Sequence, residues 1–383
     1  MNFLHVSDLH IGKRLCGRSL IDDQRHVLGE ILDMAASAEI DAVLVAGDLY
    51  DRSQPGSEAV ELASSFLSGL AEMRKPAFIV SGNHDSQEQV AYCRRILAGA
   101  EIHVSPALSG APEPITLRDE WGEVNLYLLP FVRPAQARRA FPDRAGEIKT
   151  YADALRVCVE EMHIDPEKRN VLVAHQFVVG GEMELTDSED RMVGGVDAVP
   201  AEIFAAFDYV ALGHLHAPQR AGSERVRYAG SPLKYSLSEE KQHKAALRVS
   251  LGQKGEAPAI EALPYHPLRD VKSIRGMLAE LILPGAPDDD YVFVTLTDEL
   301  PPIDPVGTLL ESYPNFMQLR LENSRTGRGA EPIMPDRLEE LSPLEHFLRF
   351  YAAQNNDQMP GEQQLALLKR AIEEAEVSLR AST

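Results

Sequence analysis

Five short runs of apolar residues in this sequence each end at a group of polar residues. The runs are rich in Val, Ile, Leu and Ala, which favours buried strands, and they cover residues 3–6, 42–46, 77–80, 171–174 and 209–212. Elsewhere, apolar side chains spaced three and four residues apart predict helices at residues 22–38, 57–74, 87–97 and 152–162. Short apolar strands together with amphipathic helices are typical of an α/β fold.

Further stretches complete the predicted order of elements. Short alternating runs at residues 101–130, together with runs at 225–229 and 246–251, predict the strands of a second sheet. Gly-rich or polar sequence predicts loops at residues 133–150 and 178–200. Beyond residues 264–268 the pattern predicts a small α/β unit, with helix 271–282, strand 291–296, helix 306–312 and strand 316–321.

The C-terminal region predicts two amphipathic helices after a polar linker. Ser342-Pro343-Leu344-Glu345 is a capping box with Pro at the first helical position. The second helix carries its apolar side chains on one stripe, at Leu365, Leu368, Ile372 and Leu379. We therefore predict four segments, at residues 1–265, 268–325, 326–341 and 342–383.

The polar residues that follow the five apolar runs are of types that bind metals or transfer protons. They are Asp8, His10, Asp48, Asn83, His84, Asp85, His175, His214 and His216. Ligands of open α/β sheets bind beyond the carboxyl ends of the strands, where these residues stand. Because alternate residues of an extended chain point the same way, we expect Asp8 and His10 to face one point.

Seven of these residues are candidate metal ligands, which is too many for one ion. They are Asp8, His10, Asp48, Asn83, His175, His214 and His216. The set suits two divalent ions that share one carboxylate, for which we take Asp48. Mixed imidazole and carboxylate ligands favour Mn, Fe or Zn over Mg or Ca, and we expect Mn²⁺. Two such ions carry four positive charges and the two Asp ligands remove two, so the centre should attract phosphate.

The motifs stand in the order Asp-x-His, Gly-Asp-x-x-Asp, Gly-Asn-His-Asp, a single His and Gly-His-x-His. In this order they resemble the calcineurin-like metallophosphoesterases. Residues 193–200, residues 228–236 and the C-terminal third make the chain most similar to the SbcD family of DNA-repair nuclease subunits. The resemblance implies an α/β (α+β) fold: a four-layer β-sandwich flanked by helices, a small α/β capping domain and C-terminal helices.

The resemblance also implies a function for each segment. Residues 1–265 would form the nuclease domain, residues 268–325 a capping domain that positions DNA, residues 326–341 a linker, and residues 342–383 a partner-binding segment. The partner would be an SbcC-type ATPase, through its coiled coil. Helices at residues 57–74 and 87–97 would form a homodimer. The substrates would be duplex ends, hairpins and single strands of DNA, cut by exonuclease and endonuclease action in repair and recombination.

The same resemblance implies roles for individual residues. His84 would donate a proton to the leaving oxygen, and Asp85 would hold the imidazole of His84 in one orientation. In the loop after His10, the side chains expected to contact DNA phosphates are those of Lys13, Arg14 and Arg18. Asp51 completes the Gly-Asp-x-x-Asp motif without an assigned role.

Composition changes this interpretation in two respects. The net charge is −21, from 38 Lys and Arg against 59 Asp and Glu, which is unusual for a protein that binds nucleic acid. We therefore expect part of the DNA affinity to come from a partner. The three scattered Cys, the absence of a signal peptide before Asp8 and the absence of a long apolar run predict a cytoplasmic, nucleoid-associated bacterial protein.

Two other functions remain open at this point. A calcineurin-like phosphatase or small nucleotide phosphodiesterase that does not act on DNA would share the metal motifs, but it would not need the C-terminal third. A scaffold with a vestigial site would hold a partner without catalysis, but it would not need all seven ligands.

Overall fold

The computed structural model describes residues 1–181, 183–187, 189, 197–300, 302–323, 343–354 and 359–381. The chain divides into two compact units, Met1–Val271 and Lys272–Thr383. The predicted linker at residues 326–341 lies outside the described residues, and so does Ser342 of the predicted capping box.

The first unit contains most of the regular structure. Its strands are β1 (Asn2–Val6), β2 (Arg14–Leu15), β3 (Arg18–Ser19), β4 (Ala42–Ala46), β5 (Ala77–Val80), β6 (Ile102–Val104), β7 (Ile115–Asp119), β8 (Gly122–Leu129), β9 (Arg169–His175), β10 (Val178–Val179), β11 (Val199–Pro200), β12 (Tyr209–Gly213), β13 (Gln219–Ala221), β14 (Ser223–Tyr228), β15 (Ala245–Ser250) and β16 (Ala259–Pro264). Its helices are α1 (Ile21–Ala36), α2 (Ser57–Met73), α3 (Gln87–Val90), α4 (Arg94–Leu97), α5 (Pro134–Ala140) and α6 (Tyr151–Glu161).

Two sheets, each with six strands among the described residues, form the centre of this unit. The strand orders are β16-β15-β1-β4-β5-β6 and β13-β14-β12-β9-β8-β7. The central strands of each sheet are parallel to one another. The carboxyl ends of β1, β4 and β5 therefore lie along one edge of the first sheet, and those of β9 and β12 lie along one edge of the second.

The sheets pack face to face over an apolar core. Inward residues of the first sheet, such as Leu44 and Phe78, pack in one cluster with inward residues of the second, such as Leu126 and Val173. The outer face of the second sheet is covered by α5 and α6. Helices α1 and α2 connect the parallel strands β1, β4 and β5 and bury one apolar face each, so they form the fourth layer. This arrangement confirms the predicted four-layer α/β fold.

The second unit is a small α/β structure followed by two helices. Its elements are β17 (Val271–Gly276), α7 (Leu278–Leu281), β18 (Tyr291–Leu296), α8 (Pro305–Ser312), β19 (Phe316–Leu321), α9 (Pro343–Gln354) and α10 (Glu362–Ala381). The sheet has the order β17-β18-β19 and covers a core that includes Val292, Leu296 and Leu309. None of the helices in the described part of the chain combines the length and apolar character needed to cross a bilayer.

Several predicted elements differ from the observed ones. The helix predicted at residues 87–97 is two short helices, because Cys93 takes a left-handed conformation with φ of 63°. Residues 133–150, predicted as loop, contain α5. The run at 246–251 forms most of β15, which pairs with β1 in the first sheet rather than closing the second. The helix predicted at 271–282 is instead β17 and the short α7.

Candidate metal centre

Turns at the ends of five parallel strands bring the predicted ligands together. β1, β4 and β5 of the first sheet and β9 and β12 of the second lead into them. Asp8, His10, Asp48 and His214 all have positive φ, at 53°, 43°, 49° and 112°. Non-glycine residues rarely take this conformation unless the surrounding structure enforces it, and such residues cluster at functional sites. Asp8 and His10 therefore converge through a turn, not through the alternation of an extended strand as predicted.

The first group of ligand atoms lies around His10. Its Nε2 is 3.1 Å from Nε2 of His216 and 3.6 Å from Oδ2 of Asp48. Asp8, His10 and His216 each offer one atom within 4.8 Å of the others. All of these side chains are buried. One carboxylate and two imidazoles thus face a single small space.

The second group lies around His175. Its Nε2 is 2.9 Å from Oδ1 of Asn83 and 3.3 Å from Oδ2 of Asp48. The same Asn83 oxygen lies 3.0 Å from Nδ1 of His214. Oδ2 of Asp48 is therefore near both groups, which is the position expected of a carboxylate that two ions share.

These residues fit two divalent cations. Oδ2 of Asp8 and Nε2 of His214 are buried and have no hydrogen-bond partner among the described residues. A buried carboxylate oxygen without a partner is costly, and a cation would satisfy it. Nδ1 of His175 donates to the carbonyl oxygen of Ala46 over 2.9 Å, which makes Nε2 the ring nitrogen that faces Asp48 and Asn83. The structure brings all seven predicted ligands into this one cluster.

The imidazoles differ in charge. Burial, and then the positive charge of His175, lower the pKa of His214 to about 3. Burial also lowers the pKa of His10 well below its ordinary value. Burial acts in the same direction on His175, but the Asp48 carboxylate outweighs it and raises the pKa to about 9. A proton on His175 thus balances Asp48 in the metal-free protein, and a bound cation would replace that proton.

His84 lies beside both groups and has a different partner from the one predicted. Its Nδ1 is 3.0 Å from the carbonyl oxygen of Asp51, so Nε2 is the nitrogen left to face the cluster. Its backbone N–H donates to Oδ1 of Asp48 over 3.0 Å. His84 also offers an atom within 4.8 Å of atoms from His10 and Asp48, so its position is compatible with contact to a metal or to a substrate.

The predicted role of Asp85 is corrected by the structure. Its carboxylate accepts hydrogen bonds from the backbone N–H groups of Leu49, Tyr50 and Gly82, at 3.1, 2.9 and 2.9 Å. Asp85 therefore ties the turn after β4 to the turn after β5, and the Asp51 carbonyl, not Asp85, contacts the His84 ring. The sequence alone could not distinguish a carboxylate that orients His84 from one that connects the two turns, because the same Gly-Asn-His-Asp motif is compatible with either role.

Two glycines allow the turns to approach this closely. A Cβ atom on Gly82 would overlap the Asp48 carboxylate, and one on Gly47 would overlap the His175 ring. Gly47 also has φ of +88°, which side chains disfavour. The Gly-Asp and Gly-Asn-His-Asp motifs thus contain glycine because the ligands of neighbouring strands pack against the backbone there.

A buried ion pair that the sequence did not predict lies behind His216. Oε1 of Glu239 lies 3.3 Å from Nδ1 of His216, and Glu239 pairs with Nζ of Lys244 at 2.6 Å. Lys244 also donates to the backbone carbonyl of His216 over 2.8 Å. A carboxylate behind a ligating imidazole fixes which nitrogen faces the metal. Glu239 lies three residues beyond the stretch at 228–236, and no motif in the sequence marks Glu239 or Lys244.

The three predicted DNA contacts lie in the segment that follows the ligand His10. Nζ of Lys13 forms an ion pair with Asp51 at 2.8 Å, so its charge is partly balanced. Nε of Arg14 donates to the carbonyl oxygen of Gly17 over 2.7 Å, and Arg14 and Arg18 belong to the paired strands β2 and β3. All of these positions remain predicted, not observed, DNA contacts.

Comparison with known proteins gives two family matches and several relatives. Residues 1–218 match the family of calcineurin-like phosphoesterases, and residues 265–355 match a family described as type 5 capsule protein repressor C-terminal domain. The SbcD component of nuclease SbcCD from Staphylococcus epidermidis is 32% identical over 326 residues, which cover 83% of this chain and 85% of that protein. The same component from Staphylococcus saprophyticus is 32% identical over 355 residues, or 91% of this chain and 92% of that one.

Among solved structures, a dimetal phosphatase from Danio rerio aligns with a TM-score of 0.40 and 10% sequence identity. The alignment covers 68% of this chain and 95% of that one.

Proposed function

The chain belongs to the SbcD family of calcineurin-like phosphoesterases, and on that premise we propose that it is a metal-dependent nuclease that hydrolyses phosphodiester bonds in DNA. The observation that carries the proposal is the cluster of seven donor side chains that includes Asp48, six of them buried and Asn83 half-buried, in a chain related over most of its length to nuclease components. The donor types favour Mn, Fe or Zn over Mg or Ca, and among these we propose Mn²⁺ as the metal. The substrates we propose are duplex ends, hairpins and single strands.

Each residue near the cluster has a task in this reaction. When bound, divalent ions supply Lewis acidity toward a phosphate and balance the charge that develops on it. Asp48 holds the two groups of ligands together, and Glu239 holds His216 in the ligating orientation. His84, fixed by the carbonyl of Asp51, presents Nε2 to the substrate and donates a proton to the leaving sugar oxygen.

One set of assays separates this function from its alternatives. The purified chain is tested with Mn²⁺, Mg²⁺ and Zn²⁺ on linear duplex DNA, on single-stranded DNA, on a nitrophenyl phosphodiester and on a nitrophenyl phosphomonoester. We expect cleavage of DNA and of the diester, fastest with Mn²⁺. Preference for the monoester would indicate a phosphatase. Cleavage of the nitrophenyl diester but not of DNA would indicate a small-molecule phosphodiesterase, and cleavage of no substrate would indicate a scaffold.

We propose that the C-terminal helices bind the coiled coil of an SbcC-type ATPase. Leu365, Leu368 and Ile372 are half-buried, whereas Leu367 on the same helix is 71% exposed; the side chain of Leu379 is outside the described residues. We also propose that the small α/β unit is the capping domain that positions DNA. Among the described residues, its apolar core includes no side chain from α9 or α10. Their removal should therefore leave that core intact.

Deletion of residues 340–383 should abolish co-purification with the ATPase and ATP-stimulated digestion of duplex ends. Manganese-dependent cleavage of single strands should remain, because the cluster lies in the first unit. Pull-down with the purified ATPase and the nuclease assays measure both effects. A second variant, Leu367→Glu, should weaken the complex at unchanged fold, with Trp121→Glu as an exposed control. A truncated chain that still forms the complex, or one that unfolds, would contradict this division of labour.

We also propose that the chain is a homodimer through α2 and the segment that holds α3 and α4. Support comes from exposed apolar side chains on both: Val60 is 43%, Tyr92 77% and Ile96 74% exposed. Large apolar side chains at this exposure often mark protein interfaces.

We propose that the protein is located in the cytoplasm of a bacterial cell, near the nucleoid. The free thiols of Cys16, Cys93 and Cys158 are consistent with this reducing compartment.

Replacement of Ile96 by glutamate should convert the dimer to a monomer at micromolar concentration. Burial of one such side chain contributes about 1.5–3 kcal/mol per copy, so a charge in its place should weaken the dimer at least roughly tenfold. Light scattering measures the change, and Trp121→Glu, which alters an exposed side chain in a hairpin, should stay dimeric. A wild-type chain that is monomeric under these conditions would contradict the proposal.

A further inference from the structure

Arg133 lies at the rim of the metal centre and was not singled out by the sequence. It directly precedes α5, in a stretch predicted as loop. One of its terminal guanidinium nitrogens lies 3.4 Å from the backbone carbonyl oxygen of Asn83, one of the predicted ligands. The centre of the guanidinium lies 5.0 Å from the centre of the Phe131 ring. Arg133 is nevertheless exposed to solvent.

Phe131 connects this arginine to the cluster. The buried ring stacks on His214 at 6.5 Å between centroids and meets His175 edge-on at 6.2 Å. Arg133 and two of the predicted ligands are therefore neighbours of the same aromatic ring. The cation–π contact and the hydrogen bond hold a long side chain in one place, which lowers the entropy lost when it binds a ligand.

The charge of Arg133 is available to an anion. Among the described residues, no carboxylate lies within ion-pair distance of it, whereas Lys13 and Arg52, also near the cluster, both pair with Asp51. A guanidinium has five N–H donors in a planar fork, and the contact with Asn83 uses one of them. The others can bind two oxygens of one phosphate group. In a chain of net charge −21, such a cation beside the cluster is a distinctive feature.

From this geometry we infer that Arg133 binds a backbone phosphate of the DNA strand beside the bond that is cut. The inference rests on the proposed nuclease function and extends it to a residue that selects a polymeric substrate over a small ester. Arg138, on α5, is not suitable as a control because its guanidinium has a structural contact: it donates to the carbonyl oxygen of Ile148 over 3.0 Å. Arg139, which is exposed on the same helix, offers a matched control.

The test compares Arg133→Gln, Arg133→Lys and Arg139→Gln with the wild-type chain. Cleavage of a single-stranded oligonucleotide and of a nitrophenyl phosphodiester is measured with Mn²⁺ over a range of salt concentrations. Arg133→Gln should raise KM for DNA roughly tenfold at moderate salt, the effect expected from loss of one charge-assisted contact. The slope of log KM against log salt should fall by about 0.7, the value for one phosphate of a single strand.

The controls make the outcome specific. Arg133→Lys keeps the charge but loses the fork, so it should fall between wild type and Arg133→Gln, and Arg139→Gln should match wild type. Metal content, thermal stability and turnover of the small ester should be unchanged in all variants. If Arg133→Gln lost equal activity on DNA and on the ester, or left the slope of log KM against log salt unchanged, the inference would be overturned but the proposed nuclease function would stand. A wild-type chain that cleaves the ester but not DNA would overturn the inference and the proposed function together.

Discussion

Replacement of Asp48 by alanine should remove both metal ions and abolish DNA cleavage. Oδ2 of Asp48 lies 3.6 Å from Nε2 of His10 and 3.3 Å from Nε2 of His175, so it is the carboxylate oxygen close to both groups of ligands. The side chain is buried, and alanine leaves no negatively charged oxygen there to bind either ion. Elemental analysis of protein that has been loaded with Mn²⁺ and desalted measures the loss directly, without reference to activity.

Two further variants show whether the effect belongs to the carboxylate. Asp48→Asn keeps the shape and removes the charge, and we expect it to lose metal as well, because a neutral amide is a weak bridge between two cations. Asp33→Ala, which removes an exposed acid from α1, should keep two ions and full activity. Retention of both ions by Asp48→Ala would contradict the shared-ligand assignment.

The second large effect is expected for His84→Gln, which should reduce DNA cleavage by roughly 10²–10⁴-fold with metal content and DNA binding retained. The Asp51 carbonyl fixes Nδ1, and Nε2 remains to donate a proton to the leaving oxygen. Glutamine preserves the size of the side chain but cannot act as a general acid. The loss should be much smaller on a nitrophenyl phosphodiester, because nitrophenolate departs without a proton.

The comparison of the two substrates distinguishes acid catalysis from metal ligation. A ligand role would reduce both rates together and lower the metal content, since His84 also offers an atom near His10 and Asp48. His163→Gln, which changes an exposed histidine far along the chain, is the matched control and should behave as wild type. Loss of metal in His84→Gln would make this residue a ligand instead of the general acid.

The parts of the site that the sequence predicted are those encoded locally. An apolar run followed by Asp, Asn or His is visible in a single stretch, and the structure brings the polar ends of five such runs together because parallel strands end at a common edge. The α/β class followed from the same runs and the amphipathic helices, and the four layers followed from the family resemblance. The turn geometry did not: left-handed conformations at Asp8, His10 and Asp48 depend on packing between strands.

The parts that escaped prediction depend on contacts between distant positions. Glu239 follows His216 by 23 residues, and Arg133 and Asn83 are 50 residues apart, so no local pattern marks either pair. The segment 271–276 has helix-compatible spacing, but it forms a strand beside β18, where Ile274 packs against the apolar core of the small unit. Asp85 has the residue type expected of a histidine partner, yet three backbone donors hold it elsewhere.

We propose that one chain holds two metal ions that share Asp48. Electron paramagnetic resonance of the Mn²⁺-loaded wild-type chain, at a manganese content measured on the same sample, distinguishes such a pair from isolated ions. We expect two Mn²⁺ per chain and the spectrum of an exchange-coupled pair, since a shared carboxylate places the ions close together. The spectrum of isolated Mn²⁺, at one ion per chain or at two, would contradict a shared site at Asp48.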